Sequence, residues 1–62
     1  VNPWNEDPEE LSNEMLAVLC RHVFGLRDRG FDLADTADEL HTDQDSIIAV
    51  LEEATERGLV AP

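Results

Sequence analysis

The stretch TDQDSIIAVLEEATERGLV, Thr42–Val60, decides how this chain is read. Ile47, Leu51 and Ala54 recur at helical spacing, so they predict a helix with one buried stripe. Thr42 stands at a capping position with Asp45 three residues on, the place of a capping-box acid. The helix is predicted to run to about Arg57 and to stop at Gly58, a residue that tolerates the left-handed cap conformation. Leu59 and Val60 follow as an apolar pair returning to the core. With the stripe inward, projection at about 100° per residue turns Asp45, Ser46, Ala49, Glu52, Glu53 and Glu56 outward.

Upstream, a first helix is predicted from DPEEL. Asp7 can cap, Pro8 suits the first helical position, and Glu10 sits in the reciprocal capping-box place. Arg27 and Arg29 in the last turn and Gly30 beyond them mark its end. Leu11, Met15, Val18, Leu19, His22, Val23 and Leu26 form its core face. Ala17, Cys20 and Phe24 fall on another side and define a second contact surface, for a dimer or another protein. The plain alternative tucks Phe24 against Phe31. Between the two long helices, FDLADTADELH predicts a short one from Leu33 or Ala34 to Leu40, capped by Asp32. Residues 1–7 are a lead-in whose Trp4 folds over the first helix as a lid, and residues 8–62 form one domain. The fold class is therefore all-α, with three helices and at most vestigial strand at Phe31–Leu33 and Leu59–Val60.

At 62 residues the chain has room for one small, marginal core and little for a water-excluding catalytic cleft. Hydrophobic residues make up 42%, which suits a globule and not a disordered acidic tail. No apolar run approaches a membrane span, and the polar, acidic first residues do not form a cleavable signal. The lone Cys20 excludes an internal disulfide and fits a cytoplasmic setting. Fifteen carboxylates face four arginines and no lysine, for a formal charge of −11. Acids spread over the whole chain resemble the proteins of salt-in halophiles, where a Debye length of about 3 Å in molar salt screens self-repulsion.

No arrangement for catalysis or metal binding emerges. Cys20 and His22 lie two apart on a helix and diverge by about 200°, so they and His41 do not make a zinc site. His22 reads as a core histidine and His41 as a solvent-facing turn residue. DQDS lacks the glycine and terminal glutamate of a calcium loop, Ser12 and Ser46 have no placed histidine, and the glycines are isolated. The expectation is no enzyme, no metal and no cofactor.

Phe31–Val60 resembles the helix-turn-helix of the winged-helix family of transcription regulators. TADEL, Thr36–Leu40, matches that family's first motif helix, with Ala37 at its usual alanine. His41 and Thr42 make the turn, Ile47, Leu51 and Ala54 take the buried places of the recognition helix, and Gly58, Leu59 and Val60 match its exit. The likeness covers about half of the chain and implies a three-helix domain, wing absent or vestigial, with a role in transcription regulation and DNA binding. Two departures are structural: no wing pattern follows, and His41 replaces a common turn glycine. The third is chemical. A recognition helix lies between rows of phosphates, where cations supply most of the affinity, and here Asp45, Glu52, Glu53 and Glu56 face outward. Protein–protein contact or homodimerisation through Ala17, Cys20, Phe24 and those four acids is thus the leading expectation. Direct DNA binding at high salt, with Gln44, Ser46, Ala49 and Glu53 toward the groove, is the alternative.

Overall fold

The computed structural model describes residues 2–60. Two short 3-10 turns, Pro3–Asn5 and Pro8–Glu10, lead into α1 (Asn13–Asp28), α2 (Leu33–Glu39) and α3 (Gln44–Glu56). Sixteen residues at 1.5 Å each make α1 about 24 Å long, nearly the full 26 Å width of the molecule. α1 packs on α3, α2 bridges both, and the two 3-10 turns pack on α3. The architecture is all-α with three helices, and no strand forms among the described residues. Phe31 and Asp32 only lead into α2, while Leu59 and Val60 bend away from the end of α3.

Each helix is started by a side chain. Ser12 Oγ accepts from the Met15 amide (3.1 Å), Asp32 Oδ1 from that of Asp35 (2.8 Å) and Asp43 Oδ1 from that of Ser46 (2.8 Å). The bond donated by the Ser46 backbone holds the Asp43 carboxyl below its ordinary range. Two boundaries differ from the sequence expectation. Asp7 does cap, but it caps the 3-10 turn, which closes at Leu11; α1 begins only after Ser12. The break lets Leu11 leave the helical path and bury its side chain. At α3 the cap is Asp43 and not Thr42: Asp43 Oδ1 takes the Ser46 amide, while Thr42 belongs to the end of α2, its amide donating to the Ala37 carbonyl (2.9 Å).

The three helices end alike. Phe31, Thr42 and Leu59 donate to the carbonyls of Leu26, Ala37 and Ala54, while Gly30, His41 and Gly58 donate to those of Arg27, Asp38 and Thr55. This is the Schellman pattern, and it requires a left-handed residue at each end. Glycine fills that place twice, and His41 fills it between α2 and α3 at φ 56°. An L-residue there bears a steric cost of about 1–2 kcal/mol, partly offset by the chain entropy a glycine would add. His41→Gly is therefore expected to stabilise the domain by about 0.5–1 kcal/mol. That corresponds to a rise in Tm of roughly 2–8 °C by circular dichroism; a fall in Tm would refute strain at this turn.

The core comprises Trp4, Leu11, Leu16, Leu19, Cys20, Val23, Ala37, Ile47, Val50 and Ala54, with Leu40, Leu51, Leu59 and Val60 packed at its edge. α1 is rotated by roughly 70° from the face predicted by projection. Leu16 and Cys20 lie inside, whereas Met15, Val18 and His22 are exposed. α3 is rotated less, and it buries Val50 in place of Leu51. Trp4 is buried in the one core cluster that also holds Leu16, Leu19, Cys20 and Val23 of α1, and its turn packs against α3.

Candidate functional site

Arg57, at the end of α3, organises one side of the molecule. Its Nε donates to Glu53 Oε2 at 2.7 Å, one turn back along the helix. One terminal nitrogen donates to the Leu11 carbonyl (2.7 Å) and Asn13 Oδ1 (3.0 Å), the other to the carbonyls of Glu9 (3.0 Å) and Pro8 (3.3 Å). All five guanidinium N–H groups are thereby used, and only arginine offers five in one plane. The carbonyls belong to the end of the 3-10 turn and the break after it, so one side chain fastens the amino-terminal segment to α3. At the other end of that segment, Asn2 Nδ2 donates to the His41 carbonyl at 3.3 Å.

This fastening changes which face of α3 is free. Asp7, Pro8 and Glu9 stand beside Ala49, Glu52, Glu53 and Glu56 around a shared hollow. Ala49, Glu53 and Arg57, on the fastened side, are half-buried, as is Ser46. The exposed face is Gln44, Asp45, Ile48, Glu52, Thr55 and Glu56. Of the four residues expected to meet a DNA groove, only Gln44 lies on the exposed face. Of the four acids expected to meet a partner, Asp45, Glu52 and Glu56 are exposed, and Glu53 is paired with Arg57.

The second expected surface, on α1, is corrected at Cys20. Its side chain is 2% exposed inside the core, because the helix rotation that brings Leu16 inward brings Cys20 with it. Burial pushes the thiol pKa up, away from the thiolate a reactive or metal-binding cysteine needs. Ala17 is half-buried, and Phe24 remains accessible at 36%. Phe24 and Phe31 line the same groove. His22, expected in the core, is exposed, as is His41. Among the described residues no three His, Cys, Asp or Glu side chains converge as metal ligands. No helix among them is long and apolar enough to cross a membrane.

Charge is segregated along the chain. Met15–Phe31 holds Arg21, Arg27 and Arg29 against Asp28, a formal +2; the remainder holds fourteen acids against Arg57, a formal −13, and the two sum to −11. Arg29 lies over the Phe31 ring at 5.9 Å. α3 thus has no cation on its exposed face, and the one at its end is committed to internal bonds.

No protein-family model matches the chain, and neither a curated protein nor a solved structure does.

Two features had escaped sequence reasoning. Arg57 reads in the sequence only as the end of the third helix, although an arginine one turn after Glu53 and next to a helix-ending glycine is placed to reach a neighbouring carbonyl cluster. Ile48 was assigned to neither face of α3. Its exposure follows only from the rotation that brings Val50 inward.

Proposed function

We propose that this chain is a small acidic regulatory module of helix-turn-helix type, transcription-associated, cytoplasmic and non-enzymatic, that acts through contact with another protein chain. The observation that carries this reading is the fastened amino-terminal segment. It stands against the side of α3 that holds Ala49 and Glu53, two of the positions a groove-reading helix would turn toward bases. The side left free holds carboxylates, to which a phosphate backbone offers no counterion release. The spacing from Ala37 through the His41 turn to Gly58 favours the helix-turn-helix assignment. The spread of acids without lysine favours work in concentrated salt.

The test is an NMR titration of the labelled chain with mixed-sequence duplex DNA, near 0.1 M and near 2 M KCl, which brackets weak and strong screening. The expected result is an unchanged spectrum at both salts from a folded domain. Shifts confined to Gln44 through Glu53 would instead make the chain a direct DNA-binding regulator.

A further inference from the structure

Five large apolar side chains stand exposed, and three of them, Phe24, Leu33 and Ile48, gather on one side. Phe24 and Leu33 line a groove of about 290 Å³ formed by the second half of α1, the start of α2 and Leu51 of α3. Leu51 also borders a shallower hollow of about 450 Å³ that runs along α3 past Ile48 and Thr55. Leu51 therefore joins the two into one apolar strip crossing three helices. Isolated exposed apolar residues are ordinary, but a contiguous strip with polar rims is the mark of a contact surface. The rims are acidic. Asp32 stands at the α2 end and Glu52 and Glu56 along α3, with Arg27 the single cation among the lining residues.

The rim chemistry selects the occupant. A second copy laid on the same strip about a two-fold axis would set one acidic rim against another, and each copy brings a formal −11. Nucleic acid is excluded by the same sign. What fits is a surface with apolar anchors between lysines or arginines. The α3 part of the strip runs along that helix past Ile48, Leu51 and Thr55, a shape that suits helix-in-groove recognition. We propose that the strip formed by Phe24, Leu33, Ile48 and Leu51 is a docking groove for a basic amphipathic helix of a partner protein. This rests on the reading of the chain as a protein-binding module and names the surface and the chemistry of its partner.

The test uses the whole chain, isotopically labelled, titrated with a synthetic amphipathic leucine–lysine peptide of about 14 residues, long enough to form a helix on contact. A leucine–glutamate peptide of the same pattern is the control. The lysine peptide is expected to shift Phe24, Leu33, Ile48, Leu51 and Glu52, and the glutamate peptide to shift nothing. Ile48→Ser is expected to weaken binding roughly tenfold. Phe24→Ser gives an independent second variant, and both sites are exposed enough for the fold to persist. Shifts spread evenly over the carboxylates, with wild-type affinity in both serine variants, would mean charge attraction without a groove and would overturn the proposal. So would groove resonances that move with the chain's own concentration before any peptide is added, which would make the occupant a second copy. Either outcome leaves the protein-binding reading standing. That reading falls only to the DNA titration.

Discussion

Ile47→Ala is expected to remove about half of the domain's folding stability. Ile47 is fully buried near the start of α3, and truncating such a side chain costs about 2–5 kcal/mol through lost transfer energy and the cavity left behind. A domain of this length has roughly 3–9 kcal/mol in total, so one substitution removes a large part of it. The drop in Tm should be at least about 10 °C. Ile48→Ala, one residue along the same helix and 41% exposed, is the paired control and should cost under about 1 kcal/mol. Urea titrations of the two variants read the difference directly. Equal losses would mean that α3 does not sit in the rotation described, and the exposed strip with Ile48 would vanish with it.

Arg57→Ala is expected to act differently, by releasing one segment before the rest. Five hydrogen bonds disappear, and the carbonyls of Pro8, Glu9 and Leu11 must turn to water. Because these bonds are only partly buried, the cost is about 2–4 kcal/mol and not the sum of five isolated bonds. Trp4 reports the event. It is the only tryptophan and is 5% exposed, so detachment should move its emission to the red at urea concentrations where far-UV dichroism still shows helix. Arg57→Lys keeps the charge but offers three donors without the planar fork, and it should fall between the two. Coincident fluorescence and dichroism transitions in the alanine variant would show the amino-terminal segment to be inseparable from the helical core.

Caps and stops were the legible part of this chain, because they are local chemistry. Asp32 before a run at helical spacing, Gly30 and Gly58 after the apolar stripes, and the short connection around His41 each act within a few residues. They placed three helices in the right order. Rotation about each helix axis was not legible, because α1 carries apolar residues around most of its circumference. Met15, Val18 and His22 made as plausible a stripe as Leu16, Leu19 and Cys20, and the choice depends on what α3 and the amino-terminal segment present opposite. Ser12 lost to Asp7 as the start of α1 since DPEE carries the complete capping box, whereas Ser12 is followed at the third position by Met15. The candidate site was least legible of all. Its decisive contact joins Arg57 to carbonyls of residues more than forty positions away, and backbone carbonyls have no letter in a sequence.

α1 is formally neutral, its Arg21 and Arg27 balanced by Glu14 and Asp28, while α2, α3 and the amino-terminal turns are strongly acidic, so the molecule has an uneven charge distribution as well as a net charge. An uneven distribution of charge in a field feels a torque. A positively charged body approaching through dilute buffer would therefore turn the domain before touching it, with the acid-rich elements leading. Orientation would be largely chosen in solution, shortening the rotational search that slows most protein encounters. In molar salt the torque fades within a few ångströms, and the apolar strip would have to find its partner by unaided diffusion. The same contact would then keep much of its lifetime while forming more slowly.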